Sequence, residues 1–391
     1  MRRVCVVITS RAQYGRLKPL LISIRDDAEL ELQVIVSGSA ASEKEKIIID
    51  DLAKESIIPS FISPAVVEGG NPLSMTKTTG LALLEYALMF DKLRPDIVVV
   101  RGDRYEIMAP VLSSVYLNIF VAHIEGGDVS GTVDETIRHS ITKLSNLHFP
   151  TNNDSYKRVL SLGESKDLVF DVGSLDVEFI KLNNEKITMK PFHLFEKNKD
   201  YSGSKGIGPR IDLNNPYLVV QFHPVTFEYD SMEKQTLELL SALKEINMQT
   251  IIFWPNTDSG SDKIEMVYRK FIDRELNDHK IHFYRNLHPL DFLSLINGSS
   301  CFIGNSSSMI KEGSYLGIPC VNIGSRQEGR LKSDNVLSTP VNSKDIIDAI
   351  KKQLNHGVYV SSHLYGDGET SKKIVSVLKL VKLSTVKKIS Y

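Results

Sequence analysis

The stretch "IVVVRGDRYEIMAPVLSSVYLNIFVAH", residues 97–123, decides the fold. Residues 97–100 form an apolar β-branched run, residues 105–117 have helical periodicity, and residues 119–123 are apolar again. Two such strands joined by a helix predict a parallel βαβ unit. Ligands of parallel sheets bind beyond the carboxyl ends of the strands, so the charged residues of "RGDRYE" lie where a site is expected.

The same alternation of strands and helices extends in both directions along the chain. The polar stretch 181–215 interrupts it and predicts a linker or an irregular excursion. Helices are predicted at residues 13–25, 43–55, 74–93, 135–146 and 154–162. Further strands are predicted at residues 4–9, 32–36, 148–150, 168–171, 217–222, 250–254, 280–284, 301–305 and 319–323.

This pattern predicts an α/β protein with two Rossmann-like, doubly wound domains facing a cleft. We expect an N-terminal domain at residues 1–180 and a C-terminal domain at residues 181–365. Apolar residues spaced along 371–383 predict a final amphipathic helix. We expect this segment, residues 366–391, to pack back toward the N-terminal domain.

The composition excludes several classes of protein. Of 391 residues, 42% are hydrophobic and 24% are charged, and 47 Lys plus Arg against 48 Asp plus Glu give a net charge of −1, which does not favour nucleic-acid binding. Cys5, Cys301 and Cys320 each lie in an apolar run without a close pair, which predicts core positions rather than disulfides or a zinc site. No signal-peptide pattern and no run of about 18 apolar residues occurs, so we expect a cytoplasmic protein that does not span a membrane.

Three carboxylates follow two strands that are expected to be neighbours. Asp103 follows the strand at 97–100, and Glu125 and Asp134 follow the next strand, within "HIEGGDVSGTVDETIRH". Crowded carboxylates can hold a proton near neutrality and act as general acids or bases. Oxygen ligands also suit magnesium, and ordinary ion pairing is the third alternative.

Other strand ends carry residues that suit a phosphate or nucleotide site. Arg11 opens a helix after the first strand, and His223 directly follows the strand at 217–222. Ser306 and Ser307 follow a strand at a predicted helix start, a position that favours anions. Glu312 can then reach a ribose diol, and Arg326 after the next strand can pair with a phosphate. The alternatives are a solvated helix start at Arg11, a satisfied histidine at His223 and N-capping by Ser306.

These residues together resemble a known family. The motifs "RGDRYE", "HIEGGDVSGTVDETIRH", "QFHPVT", "GNSSSMIKEG", "GSRQEGR" and "YGDGET" are similar to those of the hydrolysing UDP-N-acetylglucosamine 2-epimerases over nearly the whole chain. That family includes the bacterial sialic-acid pathway enzyme and the epimerase half of the animal bifunctional enzyme. The resemblance implies a GT-B fold and conversion of UDP-GlcNAc and water to N-acetylmannosamine and UDP. The implied route eliminates UDP to a glycal and hydrates it with inversion at C2, for sialic acid and surface polysaccharide synthesis.

The resemblance also implies roles for individual residues. Asp103, Glu125 and Asp134 match the catalytic carboxylates, and His223 matches a histidine beside the sugar and phosphates. Glu312 matches the ribose contact, and the uracil site is expected near His288. The diphosphate contacts match Arg11, Arg104, Ser306, Ser307 and Arg326. Arg101 and Glu106 are expected to be flanking charges. No metal or other cofactor is needed in this scheme, and a homodimer or homotetramer is implied.

One segment departs from the family pattern. After the second strand the family commonly has a Gly-x-His element and then Tyr-Gly-x-Thr, whereas this chain reads "VIVSGSAASEKEKIIID". Because this segment borders the sugar in the family, a related substrate is a second hypothesis, namely the UDP-linked diacetamido trideoxy sugar of the legionaminic acid route. A GT-B glycosyltransferase and a catalytically silent nucleotide-sugar sensor are the rival functions.

Overall fold

The computed structural model describes residues 1–41, 46–67, 72–130, 133–191, 194, 206–256, 258, 260–276, 279–285 and 287–388, with the side chains of residues 11, 12, 46, 47, 72 and 133 left out. The chain divides into two compact units. The first unit comprises Met1–Val129, Val133–Phe179 and Tyr365–Tyr391, and the second comprises Ser130–Thr132 and Ile180–Leu364. The first unit is therefore built from both ends of the chain.

The first unit alternates strands and helices along the chain. Its strands are β1 (Arg2–Ile8), β2 (Leu30–Ser37), β3 (Phe61–Ser63), β4 (Ile97–Arg101), β5 (Phe120–Ile124) and β6 (Leu147–Phe149). Its helices are α1 (Arg11–Arg25), α2 (Lys46–Lys54), α3 (Pro72–Leu93), α4 (Met108–Tyr116), α5 (Val133–Leu144), α6 (Asn153–Ser161), most of α7 (Leu175–Leu182) and, from the end of the chain, α14 (Thr370–Leu380).

The six strands of this unit form one parallel sheet in the order β3-β2-β1-β4-β5-β6. Successive residues of a strand point to opposite faces. In β4, Ile97 and Val99 belong to one hydrophobic core cluster, while Val98 and Val100 belong to another. Because both faces are covered by helices, the β-branched run of β4 is fully buried, as expected for a doubly wound sheet.

The second unit repeats this design. Its strands are β7 (Tyr217–Gln221), β8 (Gln249–Phe253), β9 (Ile281–Tyr284), β10 (Cys301–Gly304), β11 (Cys320–Ile323) and β12 (Val336–Thr339), in the parallel sheet order β12-β11-β10-β7-β8-β9. Its helices are α8 (Asn184–Ile187), α9 (Met232–Ile246), α10 (Ser261–Glu275), α11 (Pro289–Asn297), α12 (Glu312–Leu316) and α13 (Ser343–His356). The prediction of two Rossmann-like α/β units is therefore confirmed.

Three sequence predictions about strands were wrong or incomplete. Residues 168–171 do not form a strand, because a 3₁₀ turn at Lys166–Leu168 leads into a single bridge between His148 and Val169. The edge strands β3 and β12 were missed, since each is three or four residues long and only partly buried. The three cysteines are free and buried, as predicted.

The polar stretch 181–215 is more ordered than a linker over its described part. Ile207 pairs with Phe283 of the edge strand β9, and the Pro209 carbonyl accepts a hydrogen bond from the His282 ring at 2.9 Å. This contact covers an edge that otherwise exposes unpaired backbone groups. Among the described residues, no helix is long and apolar enough to cross a lipid bilayer.

Candidate active site

Asp103 lies in the loop that follows β4 and is held by a buried arginine. Arg138 of α5, which is 2% exposed, donates through one Nη to the Asp103 carboxylate and through the other to the Asp128 carbonyl at 2.8 Å. The loop is also tied to β5, since the Gly102 amide donates to the Ile124 carbonyl at 3.0 Å. Asp103 is therefore fixed at the carboxyl edge of the sheet.

Glu125 directly follows β5, the neighbour of β4, and is held by a second buried arginine. Arg101, the last residue of β4, donates from Nη2 to Glu125 Oε1 at 2.7 Å and to Asp176 Oδ2 at 2.9 Å. All three residues are buried, each with less than 10% of its surface exposed. The expectation that Arg101 is a flanking charge was wrong, because Arg101 is buried and bridges Glu125 and Asp176.

The backbone around Glu125 is unusual. Glu125 has a φ of 71°, the left-handed region that side chains other than glycine rarely adopt. Gly127 has a φ of 76°, and a Cβ at that position would lie 2.3 Å from the Ser155 carbonyl oxygen. Backbone strain of this kind occurs at functional sites, where the surrounding structure holds it.

Asp134 lies in the first turn of α5, one helical turn before Arg138. Residues four apart share a helix face, so Asp134 lies on the face of α5 that presents Arg138 to Asp103. The structure thus brings the three predicted carboxylates to one region of the first unit. For the magnesium alternative, no group of three metal-ligating side chains is spaced to hold an ion among the residues that the structure describes.

Arg104 is the predicted diphosphate contact of this loop. Its guanidinium makes a two-point contact with Glu106, at 3.1 Å from Nε and 2.8 Å from Nη2. The Glu106 side chain is only 3% exposed, whereas that of Arg104 is 39% exposed. Glu106 is therefore a buried support for Arg104, which corrects its expected role as a flanking charge. The side chain of Arg11 lies outside the described part of the chain.

In the second unit, Asn305 connects three strand ends. Its side chain accepts from the His223 amide at 2.7 Å and donates to the His223 carbonyl at 2.8 Å. Its own carbonyl accepts from Arg326 at 3.2 Å and from Gln327 at 2.8 Å. Because β7, β10 and β11 are adjacent, the predicted residues His223 and Arg326 are held at one edge of this sheet.

The His223 ring is neutral at physiological pH. Burial, with a smaller contribution from the charge of Arg326, lowers the pKa of His223 to about 3. The Asn256 amide donates to His223 Nδ1 at 3.2 Å, which assigns the proton to Nε2. The Nε2–H group is then a neutral donor that can bond to a phosphate or sugar oxygen.

Ser306 and Ser307 open a 3₁₀ turn, Ser307–Met309, and not the α-helix that was predicted to begin there. Ser306 Oγ caps this turn by accepting from the Ser308 amide at 3.3 Å, so the N-capping alternative is observed. The short helix α12 begins at Glu312, whose buried carboxylate accepts from Ser308 Oγ at 3.3 Å.

His288 is the N-cap of α11, where its Nδ1 accepts from the Leu290 amide at 3.3 Å. This bond fixes the ring next to a helix start that follows β9, at the edge of the second sheet. The arrangement leaves the backbone of residues 287–289 at the carboxyl end of a strand, where a base can be recognised.

Sequence reasoning missed four residues that organise these sites. Arg138 was detectable, since it lies four residues after Asp134 on a predicted helix. Arg101 was visible but was assigned no partner, and Asn305 was read only as the end of a strand. Asp176 had no local signal, because its partners come from β4 and α1.

Comparisons with known proteins identify the family. The family model described as UDP-N-acetylglucosamine 2-epimerase matches residues 22–379. The UDP-N,N'-diacetylbacillosamine 2-epimerase (hydrolyzing) of Legionella pneumophila is 30% identical over 98% of this chain and 97% of its own. The GDP/UDP-N,N'-diacetylbacillosamine 2-epimerase (hydrolyzing) of Campylobacter jejuni is 32% identical over 88% of this chain and 86% of its own.

A solved structure supports the same assignment at the level of the fold. The UDP-GlcNAc 2-epimerase of Neisseria meningitidis, crystallised with UDP-GlcNAc, has a TM-score of 0.78 at 18% identity, over 96% of this chain and 99% of its own. At this identity the likeness concerns the fold alone. Because the family model covers most of the chain and the relatives match it nearly end to end, this protein belongs to the UDP-N-acetylglucosamine 2-epimerase family.

Proposed function

We propose that this protein is a hydrolysing 2-epimerase that acts on a UDP-linked 2-acetamido sugar. The observation that carries the proposal is the pair of carboxylates, Asp103 and Glu125, that follow adjacent strands and are each bonded to a buried arginine. Carboxylates held in this way are suited to proton transfer at a sugar carbon, which needs a base within hydrogen-bond reach. Membership of the epimerase family agrees with this chemistry.

In the proposed reaction, one carboxylate removes the proton at C2 of the sugar. The bond between C1 and the diphosphate oxygen then breaks, UDP leaves with the electron pair, and a C1–C2 double bond forms. Water adds through its oxygen to C1, and a proton is returned to C2 from the opposite face. Asp103, Glu125 and Asp134 supply the acid and base groups for these steps, and the free manno-configured sugar is the product.

The second unit is proposed to bind UDP. Arg326 of this unit would balance the growing negative charge of the leaving diphosphate. In the first unit, the proposed phosphate contacts are Arg104 and Arg11. His223, as a neutral Nε2–H donor, and the hydroxyls of Ser306 and Ser307 would bond to phosphate oxygens. Glu312 is assigned to the ribose and the turn at His288 to the uracil.

We propose UDP-N,N'-diacetylbacillosamine, a diacetamido trideoxy sugar, as the preferred substrate. Two hydrolysing relatives carry this sugar in their names. The turn Gly38–Ala41 after β2 supports the choice, because its side chains are small and none is ionisable. Ala40 is fully buried and the Ser39 hydroxyl donates to the Thr9 carbonyl at 3.1 Å, so neither side chain offers its own hydrogen-bond donor to a sugar hydroxyl.

UDP-GlcNAc is the second candidate. It is favoured by the description of the family model and by the solved structure of the Neisseria meningitidis protein. The two substrates share the 2-acetamido group and the UDP, so they differ only at C4 and C6 of the ring.

The test is proton NMR of the reaction in deuterated water with each UDP-sugar supplied alone. We expect UDP and a free manno-configured sugar with deuterium at C2, and faster turnover of the diacetamido substrate. Faster turnover of UDP-GlcNAc would reverse the substrate preference but keep the reaction. Release of a gluco-configured sugar, or turnover only with an added acceptor, would indicate a hydrolase or a glycosyltransferase. Binding of UDP without turnover of either sugar would indicate a sensor, provided that Asp103→Asn binds UDP as the wild type does.

A further inference from the structure

A chain of four charged side chains connects Glu125 with α1. Glu125 Oε1 and Asp176 Oδ2 both accept from Nη2 of Arg101, at 2.7 and 2.9 Å. Asp176 Oδ1 in turn accepts from Nε of Arg16 on α1. Two carboxylates and two guanidiniums alternate, so their formal charges cancel within the cluster. His123 is a further titratable group near the loop that follows β4, and its ring bonds to the Gly102 carbonyl.

Asp176 is a rigid anchor for this chain. The Ser174 hydroxyl donates to Asp176 Oδ2 at 2.7 Å and accepts from the Asp176 amide at 3.2 Å. The Ser174 amide donates to the Tyr365 carbonyl at 2.7 Å. Asp176 is 3% exposed. Its position is thus set by the start of α7 and by the segment that returns from the end of the chain.

Arg101 is equally well fixed. Its carbonyl accepts from Gln13 Nε2 at 2.9 Å, and Gln13 Oε1 accepts from the amide and hydroxyl of Thr9 at 3.0 and 2.8 Å. Arg101 is in register with Ile124, the residue before Glu125. A rigid strand end therefore delivers the guanidinium to a residue whose own backbone is in the left-handed region.

A buried ion pair is a costly way to gain stability, because desolvation of the charges offsets most of their attraction. Apolar side chains of similar size usually serve a core as well or better. The arrangement is better explained by its effect on the orientation of Glu125, which is one of the proposed catalytic carboxylates. A charge-assisted bond to one of its oxygens restricts the orientation of the side chain.

We propose that Arg101 is a positioning residue for Glu125, which it links to Asp176 and holds in the correct orientation for proton transfer at the substrate. The kinetic part of this inference rests on the proposed function. The link itself does not, because it concerns contacts between side chains of this chain alone.

The kinetic test compares Arg101→Met with Arg101→Lys and with the wild type. A misplaced catalytic group costs about 100-fold in rate, so we expect kcat of Arg101→Met to fall by about that factor with KM little changed. Arg101→Lys keeps the charge and should restore much of kcat.

Arg94→Met is the matched control, since Arg94 is an exposed arginine that pairs with Asp91 of the preceding helical turn. A kcat of Arg101→Met that equals that of this control would overturn the proposal. A change in KM alone would also contradict the proposal. So would a loss of kcat that a folded Arg101→Lys variant does not restore.

The link is tested separately by thermal unfolding of Arg101→Met, Glu125→Gln and the double variant. Residues in direct contact give non-additive changes, so we expect the double variant to lose less in Tm than the sum of the single losses. Additive losses would overturn the link. If the wild type turns over neither UDP-sugar, the proposed function fails, and this cycle still decides whether Arg101 holds Glu125.

Discussion

His123 is a fully buried histidine at the end of β5, beneath the loop that carries Asp103. Nε2–H donates to the Gly102 carbonyl at 2.9 Å, and Nδ1 faces the Thr142 hydroxyl at 3.1 Å. Burial lowers the pKa of His123 to about 3, although the bond to Gly102 acts in the opposite direction. At the scale of the residue, the loop that carries Asp103 is therefore supported by a neutral imidazole, and a second proton on this ring would not stabilise the fold.

This pKa predicts acid sensitivity. Between pH 6.5 and 3 the unfolded chain binds a proton at His123 that the folded chain does not, so stability is complete above this window and is lost as the pH falls through it. At about pH 5 the loss from one such histidine is about 2 kcal/mol. Urea unfolding at about pH 7 and about pH 5 should show a smaller acid loss in His123→Gln than in the wild type. His363→Gln, at an exposed position, is the control, and equal acid losses in all three proteins would contradict the prediction.

At the scale of the element, the segment after α14 is tied to α5 and β6 through Glu164. This carboxylate accepts from Lys143 at 2.7 Å, from Lys387 at 2.7 Å and from His148 at 3.0 Å. Burial raises the pKa of Glu164, but these three bonds outweigh it and lower the pKa to about 2. Burial lowers the pKa of Lys387 to about 8 against the attraction of Glu164. The bonds of the Glu164 carboxylate thus more than offset the cost of burying its charge, whereas the attraction to Glu164 does not offset the cost of burying the Lys387 ammonium.

Neutralising Glu164 and neutralising Lys387 should therefore change the free energy of unfolding by different amounts. Glu164→Gln leaves two lysines without their buried counter-charge, and loss of one partner of a buried ion pair costs about 3 kcal/mol. Lys387→Met removes the buried ammonium together with its desolvation cost, so we expect less than half of that loss. Urea unfolding at about pH 7 measures the free energy of unfolding of both variants. Hydrogen exchange of residues 381–388 should rise in Lys387→Met, and a larger destabilisation by Lys387→Met than by Glu164→Gln would refute this account.

At the scale of the whole molecule, the first unit is completed by the end of the chain. Ile374, Val375 and Leu378 of α14 belong to the same core cluster as Leu17 and Leu21 of α1. The chain thus leaves the first unit near residue 180, builds the second unit, and returns at residue 365. The homodimer or homotetramer implied by the family resemblance stays a prediction.

A fragment that ends at residue 180 should therefore not fold cooperatively. Without α14 the apolar face of α1 would be exposed, and burial is worth about 25 cal/mol per Å² of apolar surface. We expect residues 1–180 joined by a flexible linker to residues 365–391 to give a single sharp thermal transition and residues 1–180 alone to give none. A cooperative transition of the shorter fragment would show that α14 is dispensable.

The sequence by itself determined the central strands of both sheets, the carboxylates that follow them and the family, because β-branched runs, helical periodicity and the ends of parallel strands are local signals. It did not identify the short edge strands, whose partial burial leaves a weak pattern. Only the tertiary structure decided which charges are paired. Arg101 pairs with Asp176 and Glu125, and Arg104 is held by Glu106. The choice of partner depends on distances across the fold, and spacing along the chain does not encode these distances.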